Sequence, residues 1–323
     1  MKRGSALFVV FLLAGLVGCT GAGAAHSEPA HIRLPMGFVA NVQFAPVYVA
    51  VEKGYFRDEG IELEFDYSWE TDGVRLVGAG ELPFAIASGD QILLARAQAL
   101  PVVTFVNWWR RFPVAVVALA ESGIREPADL AGHKVGIPET FGASYIGWRA
   151  LATAAGLADE DVKLEVIGYT QLANLTEERV DAAVVYANNE PVQLDQRGLN
   201  FAHFAVADYA TLVSNGLITN EKTLREQPEL VRAFARAFLK GLADTLDDPD
   251  AAFEICKTYV EGLEENETVQ RAVLEASLLY WEGDPLGWSD PAAWEETADV
   301  MLEAELLSGV ADVDKAFTND YLP

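Results

Sequence analysis

Amide and aromatic side chains supply most of the chemistry that this sequence can offer. They follow apolar segments, as in N-V-Q-F at residues 41–44 and Y-A-N-N-E at residues 186–190. Amides both donate and accept hydrogen bonds, and aromatic faces stack on planar ligands. The pattern predicts noncovalent binding of a flat heterocycle with mixed polar edges. The candidate ligand-binding residues are Asn41, Gln43, Phe44, Trp69, Ser88, Gln91, Trp108, Trp109, Ser144, Tyr145, Tyr186, Asn188, Glu190 and Asn215.

Several of these candidates also have a purely structural interpretation. Trp69 and one of Trp108 and Trp109 could cover a hydrophobic core instead of a ligand. Tyr145 follows Gly-Ala-Ser and could belong to the first turn of a buried helix. The run Y-A-N-N-E-P at residues 186–191 could be an ordinary polar start of a helix. Both roles stay open for these positions at the level of sequence.

The charge of the chain excludes some partners. The formal net charge at pH 7 is −26, which argues against nucleic acid and against a basic membrane-binding surface. A lysine or arginine facing the candidate site would favour a sulfonate or nitrate ligand. Arg110 and Arg111 are the only adjacent basic pair near that site, and arginine often lies outward on a solvated edge.

Histidine and cysteine usage predicts neither a metal site nor a catalytic centre. The four histidines are scattered at positions 26, 31, 133 and 203, without ligand spacing. Cys256 lies at helical spacing from Ala252, Tyr259 and Val260, which predicts a buried small apolar side chain. We therefore expect no catalytic residue, no metal and no cofactor.

Alternating strands and helices position the candidate residues. This alternation predicts an α/β fold with a mostly parallel sheet and helices on both faces. In such sheets, ligands bind beyond the carboxyl ends of the strands, where the candidates stand. Ser88, Gly89 and Asp90 can cap the helix that follows them. The first series has strands at residues 32–38, 61–67, 82–87 and 101–107, and helices at residues 46–53, 71–79 and 91–99.

Residues 41–56 join the first strand to the first helix. Pro46 suits the first turn of that helix, and Gly54 suits a left-handed position just past its end. These features alone are compatible with an ordinary βα unit. The segment A-x-E-K-G-Y-F followed by D-E-G-I-E-L-E-F, however, resembles the opening of the SsuA-like, thiamine-pyrimidine-precursor-binding family of type II solute-binding proteins. Members of that family deliver small molecules to ABC importers.

The resemblance extends to a second series of elements. E-P-A-D-L-A-G-H-K-V-G at residues 126–136 resembles the turn that opens the second lobe in this family. The resemblance implies a type II periplasmic-binding-protein fold, with two lobes of mainly parallel sheets, two crossovers and a ligand in the cleft. We expect lobe 1 to comprise residues 32–112 and 216–323, and lobe 2 to comprise residues 113–215.

The C-terminal part of the chain is predicted to be helical. Leu230, Phe234, Ala237, Phe238 and Leu242 form a stripe at helical spacing, which indicates a face turned to the core. The sequence Asp-Pro-Asp at residues 248–250 ends that helix and can cap the next one.

Five segments resemble one branch of the family, the riboflavin-binding lipoproteins. They are N-V-Q-F-A-P, S-G-D-Q-I-L-L-A-R-A-Q, F-G-A-S-Y-I-G, V-V-Y-A-N-N-E-P and S-N-G-L-I-T-N. The resemblance implies riboflavin as the transported ligand and an ABC permease as the partner. A thiamine pyrimidine precursor needs the same chemistry in a smaller slot, and the width of the slot cannot be read from sequence.

The first residues carry an export signal. Lys2 and Arg3 precede an apolar run at residues 6–17, which is too short to span a membrane and typical of a signal peptide. The ending L-V-G-C matches a lipobox, which predicts a signal peptide at residues 1–19, lipidation of Cys19 and a tether at residues 20–31. A plain signal peptide cleaved elsewhere is the alternative. We expect an extracytoplasmic monomer anchored to the cell membrane.

Two other function classes remain open. A related eukaryotic group synthesises the thiamine pyrimidine, but it depends on histidine and on a cysteine-rich run. This chain has no cysteine-rich run and no histidine among the candidate residues. A sensory or structural surface lipoprotein is the other possibility. Co-purification of a yellow, fluorescent ligand would separate these classes from a riboflavin carrier.

Overall fold

The computed structural model describes residues 1, 28–309 and 312–323. The lipidation site predicted at Cys19 lies outside these residues. The strands are β1 (Ala30–Gly37), β2 (Ile61–Trp69), β3 (Ala85–Ser88), β4 (Val102–Asn107), β5 (Val114–Leu119), β6 (Lys134–Ile137), β7 (Lys163–Val166), β8 (Ala182–Tyr186), β9 (Phe201–Ala205) and β10 (Asn215–Asn220). The helices are α1 (Ala45–Glu52), α2 (Tyr55–Asp58), α3 (Glu70–Gly78), α4 (Gly89–Ala97), α5 (Gly142–Ala154), α6 (Gln171–Thr176), α7 (Glu190–Gln196), α8 (Glu221–Glu226), α9 (Pro228–Asp247), α10 (Pro249–Cys256), α11 (Glu267–Trp281) and α12 (Pro291–Glu303).

The first βα connection forms as its residue types predict. The Asn41 side chain accepts a hydrogen bond from the Gln43 backbone N–H at 2.9 Å and so begins a short 3₁₀ turn. Pro46 lies in the first turn of α1, and Gly54 adopts a left-handed φ of +78° just beyond the end of that helix. The turn therefore holds Gln43 and Phe44 just past the carboxyl end of β1.

The strands form three sheets, and their order separates one continuous part of the chain. Strands β5 to β9 make a five-stranded sheet in the order β7-β6-β8-β5-β9, entirely from the segment 114–205. The remaining strands form the pair β1-β2 and the sheet β3-β10-β4. The predicted α/β fold is confirmed. Both β5 and β10 run antiparallel to their neighbours, so the sheets are mixed, because the chain reverses direction at each passage between the two groups of strands.

Helix α9 buries the predicted stripe. Phe234, Phe238 and Leu242 are fully buried, and the helix packs closely on α1. The two helices approach closely at Gly241, where an added Cβ would lie 2.3 Å from the Pro46 carbonyl oxygen. The break at residues 248–250 also forms, because the Asp248 carboxylate accepts a hydrogen bond from the Ala251 N–H at the start of α10.

Two local features differ from the sequence analysis. Ser88 occupies the N-cap position of α4, but its side chain makes no capping hydrogen bond. Its hydroxyl instead donates to the Glu70 carboxylate at 2.6 Å, which is the stronger acceptor. Strand β9 was not predicted, since its alternating run F-A-H-F-A is short, and it forms by pairing with β5 at the edge of the five-stranded sheet.

Cys256 is fully buried and free, as its helical spacing predicts. Burial raises the pKa of its thiol to about 12, so the side chain stays a protonated, apolar group. Within residues 28–309 and 312–323, no helix combines the length and the apolar composition needed to cross a membrane.

Candidate functional site

A cavity of about 360 Å³ lies where the carboxyl ends of strands from both groups meet. Strand β10 runs antiparallel to β3 and β4, so its first residue, Asn215, reaches the same edge. Eleven of the fourteen candidate residues line this cavity. They are Asn41, Gln43, Phe44, Trp69, Gln91, Trp108, Trp109, Ser144, Tyr186, Glu190 and Asn215.

Trp108 and Trp109 form the aromatic wall and also belong to the core. The Trp108 ring is 1% exposed and packs on Phe44 and Trp281, with ring centroids 6.1 and 5.5 Å apart. Trp109 is 4% exposed and meets Tyr186 edge to face, at 6.3 Å between centroids and 87° between planes. The two roles that the sequence left open are thus combined, because one face of the pair packs inward while part of it borders the cavity.

Tyr186 and Trp109 belong to the two different groups of strands and are in contact with each other. Trp109 follows β4, whereas Tyr186 is the last residue of β8 in the five-stranded sheet. Their edge-to-face contact is one of the aromatic arrangements that stabilise a pair by about 0.5–1.5 kcal/mol. A flat ligand placed between the two groups of strands would therefore meet aromatic surface from both.

Acidic groups gather on the polar side of the cavity. The Glu70 carboxylate accepts hydrogen bonds from the backbone N–H and the hydroxyl of Ser88, at 2.5 and 2.6 Å. Burial, together with the nearby charge of Asp90, raises the pKa of Glu70 to about 7. Burial also raises the pKa of Asp90, which lies directly behind the cavity wall.

Glu190 is a second carboxyl group with a shifted pKa. One of its oxygens accepts a hydrogen bond from the Tyr186 backbone N–H at 3.0 Å, and burial raises its pKa to about 7. Glu139 also lines the cavity and accepts a hydrogen bond from the Tyr169 hydroxyl at 2.9 Å. Among the described residues, no lysine, arginine or histidine lines the cavity.

Gln91 is held in a fixed orientation by its neighbour. Its amide nitrogen donates to the Asp90 carboxylate at 2.9 Å, while the second Asp90 oxygen is buried without a hydrogen-bond partner. This bond uses one of the two N–H groups of the Gln91 amide, so the second N–H and the carbonyl oxygen stay available. The wall therefore offers both a hydrogen-bond donor and an acceptor at this position.

Large apolar side chains surround the mouth of the cavity. Trp69 is 64% exposed, and Phe38, Phe141 and Tyr169 are also exposed. The rings of Phe38 and Tyr169 meet edge to face at 5.7 Å. Phe38 follows β1 and Tyr169 follows β7, so this contact joins the two groups of strands across the mouth.

Three candidate residues do not line the cavity. Ser88 lies behind Glu70 and donates to it, as described above. Tyr145 packs against the core from the first turn of α5, which is the structural role considered for it. Asn188 is fully buried, and its side-chain nitrogen donates to the Ser277 hydroxyl of α11 at 2.8 Å. Each of these side chains turns to a neighbouring element instead of the cavity.

Several lining residues escaped the sequence analysis. Glu70, Glu139 and Phe141 follow β2 and β6, while Phe38 and Tyr169 follow β1 and β7. All five obey the rule that ligands bind beyond the carboxyl ends of strands. Applying that rule to the loops after β6 and β7 would have found Glu139 and Tyr169.

The sequence matches a known protein family. The profile of the family described as NMT1/THI5 like matches residues 41–252, about two thirds of the chain. The chain belongs to this family.

Several known proteins align with nearly the whole chain. The riboflavin-binding protein RibY of Chloroflexus aurantiacus is 39% identical over 94% of this chain and 90% of its own length. The formylaminopyrimidine-binding protein of Halalkalibacterium halodurans is 29% identical over 99% of both chains. A 4-amino-5-hydroxymethyl-2-methylpyrimidine phosphate synthase of Legionella pneumophila is 24% identical over 92% of this chain and 94% of its own length.

Solved structures share the fold of this NMT1/THI5-like protein. The aliphatic sulphonate binding protein SsuA of Escherichia coli superposes with a TM-score of 0.72 at 14% identity, covering 89% of this chain and 92% of its own. This likeness confirms the predicted periplasmic-binding-protein fold. At such low identity it carries no information on the ligand.

Proposed function

We propose that this protein is an extracytoplasmic solute-binding protein that captures riboflavin and delivers it to an ABC permease. The observation that carries the proposal is a cavity in which aromatic faces, amide groups and uncompensated acids meet between two groups of strands. Its volume of about 360 Å³ lies within the range of roughly 300–1,000 Å³ that is usual for small-molecule sites. The identity with RibY supports the choice of ligand.

The chemistry of riboflavin matches these walls. Its tricycle is flat and suits a cavity whose wall includes the aromatic rings of Trp109 and Tyr186. Its uracil-like edge alternates donors and acceptors, for which Asn41, Gln43 and Gln91 offer amide groups. Its ribityl hydroxyls need small polar partners, and Ser144 and Asn215 provide them.

Capture works by closure of the two predicted lobes around the ligand. The segments that join them are residues 108–113 and 206–214, which lie between the two groups of strands. A ligand shifts such an equilibrium only through its higher affinity for the closed form. Phe38 on one side and Tyr169 on the other meet across the mouth and supply a contact that exists only when the cleft is closed. The closed protein then presents its surface to the permease.

A thiamine pyrimidine precursor is the second candidate ligand. The relative from Halalkalibacterium halodurans is named for binding formylaminopyrimidine and matches along the full length of this chain. A single pyrimidine ring would use the same amides and a smaller part of the aromatic slot. Competition between riboflavin and such a pyrimidine decides between them.

We propose binding without catalysis. Among the described residues, no histidine and no cysteine lines the cavity, and no cluster of metal ligands occurs. The relatives named as synthases are less similar than RibY, at 24% identity in the Legionella pneumophila example. Incubation of the purified protein with riboflavin should return the ligand unchanged.

Titration of riboflavin tests the proposal, with quenching of flavin fluorescence as the signal. Trp69→Ala is the informative variant, because this ring is 64% exposed at the mouth and its loss leaves the core intact. Removal of one ligand-facing aromatic ring should cost about 1–2 kcal/mol, or roughly 5- to 30-fold in dissociation constant. Trp108→Ala is less suitable, since that ring is buried in the core.

Trp288→Ala is the matched control. Trp288 is 40% exposed but does not line the cavity, so its replacement should leave the affinity for riboflavin unchanged. Failure of the unaltered protein to bind riboflavin would overturn the choice of ligand. Equal weakening by both substitutions would overturn the assigned position of the site.

Anchoring through Cys19 is part of the same proposal. A diacylated cysteine holds a protein at the membrane, whereas one acyl chain gives only marginal binding. Cys19→Ala should therefore release a monomeric protein from the membrane fraction. Retention of the variant with membranes would contradict the lipidation at Cys19.

A further inference from the structure

The charge of the cavity is uniform in sign. Glu70, Glu139 and Glu190 line it, and the buried carboxylate of Asp90 lies behind Gln91. In the described part of the chain, no cationic side chain borders the cavity to offset these acids. The net charge of −26 adds a background of the same sign.

The nearby arginines are engaged elsewhere. Arg110 donates to the Trp288 carbonyl oxygen at 2.5 Å. Arg111 pairs with Asp208 at 3.3 Å and lies over the ring of Tyr280, 5.8 Å from its centroid. Neither side chain lines the cavity, so neither can neutralise an anionic ligand there.

We propose that the cavity accepts its heterocycle only without a phosphate group and rejects the corresponding phosphate monoester. A phosphate monoester carries close to two negative charges at neutral pH and three strong acceptor oxygens. Such groups are normally bound by arginine, lysine or a helix N-terminus. The first residues of α5 do line the cavity, but the partial charge of about +0.5 at a helix end is smaller than the combined charge of the three glutamates that line the same cavity. The carboxylates therefore repel a phosphate group. The raised pKa values of Glu70 and Glu190 show that even the existing negative charges are disfavoured at this place.

The binding protein would act after the hydrolysis of a phosphate ester. Where the vitamin is supplied as its phosphate ester, a phosphomonoester hydrolase outside the membrane must act first. In that step water attacks phosphorus, the phosphorus–oxygen ester bond breaks, and the free alcohol and inorganic phosphate are released. The binding protein then collects the free alcohol.

The inference rests on the proposed function for its ligand, and a pair of titrations tests it. Riboflavin and riboflavin 5′-phosphate are each titrated into the protein at pH 8 and low salt, where electrostatic repulsion is least screened. We expect the phosphate ester to bind at least 30-fold more weakly. A smaller ratio overturns the inference.

A variant tests whether the carboxylates cause the discrimination. Glu139→Gln removes one charge from the cavity wall and keeps an oxygen that can accept the Tyr169 hydrogen bond. The ratio between the two ligands should narrow at least threefold. Glu121→Gln, on the exposed surface away from the cavity, should leave the ratio unchanged. An unchanged ratio in Glu139→Gln would assign the selectivity to shape instead of charge and overturn the inference.

Failure of the proposed function is distinguishable from failure of this inference. If riboflavin does not bind, the same comparison is made with 4-amino-5-hydroxymethyl-2-methylpyrimidine and its phosphate. A preference of at least 30-fold for the free pyrimidine would support the inference and reject the riboflavin proposal. If neither pair shows binding, both fall together.

Discussion

The carboxyl group of Glu70 should destabilise the protein at alkaline pH, and Glu70→Gln should remove that effect. In the fold its pKa is raised from an ordinary 4.5 to about 7 by burial and by the neighbouring charge of Asp90. Ser88 donates both of its hydrogen bonds to the same Glu70 oxygen. Glutamine keeps an oxygen in that position, so the substitution removes a charge while preserving the local contacts.

Proton linkage explains why Glu70 lowers the stability of the fold as the pH rises. Between about pH 4.5 and pH 7, Glu70 retains its proton in the folded state but loses it in the unfolded state, so folding becomes less favourable as the pH rises. Below this window both states are protonated and the effect vanishes. The difference between the folded and unfolded pKa of Glu70 corresponds to about 3 kcal/mol of folding stability. Because Glu70 keeps part of its surface in contact with water, we expect the loss of stability to be about 1–3 kcal/mol.

Denaturation in urea at several pH values measures this difference. The free energy of unfolding of Glu70→Gln minus that of the unaltered protein should be near zero at pH 4.5 and should reach about 1–3 kcal/mol in favour of the variant at pH 8. Changes common to the whole acidic chain cancel in the subtraction. The exposed control Glu121→Gln should stay within about 0.5 kcal/mol throughout. A difference that does not vary with pH, or one that decreases towards pH 8, would refute the reasoning.

Further predictions concern the packing that holds the site. Gly241→Ala should lower the free energy of unfolding by about 1–3 kcal/mol, although alanine is the better helix former, because its Cβ would meet the Pro46 carbonyl oxygen at 2.3 Å. A stabilised Gly241→Ala variant in thermal unfolding would contradict that contact. Asn188→Ala should cost about 1–3 kcal/mol by removing a buried hydrogen bond to Ser277. A double-mutant cycle with Ser277→Ala measures the coupling, and additivity within about 0.3 kcal/mol would show that the pair contributes nothing.

Sequence alone determined the local features of this protein. The alternation of strands and helices, the turn at Pro46 and Gly54, and the apolar stripe of α9 all depend on neighbours within a few residues. Residue preferences at turns and caps act at that range, so they can be read without a fold. The rule that ligands bind beyond the carboxyl ends of strands requires only the order of the elements. It therefore identified eleven residues of the cavity from the sequence.

Tertiary structure decided which side chains share the cavity. Glu70, Asp90 and Glu190 are distant in sequence, and only the fold brings their charges to one place and raises their pKa values. The sequence gives no direction for a side chain within a loop, which is why Asn188 could be predicted for the cavity and yet lie against Ser277. The direction of the Asn188 side chain depends on which element packs against its loop. That element is α11, some ninety residues further along the chain.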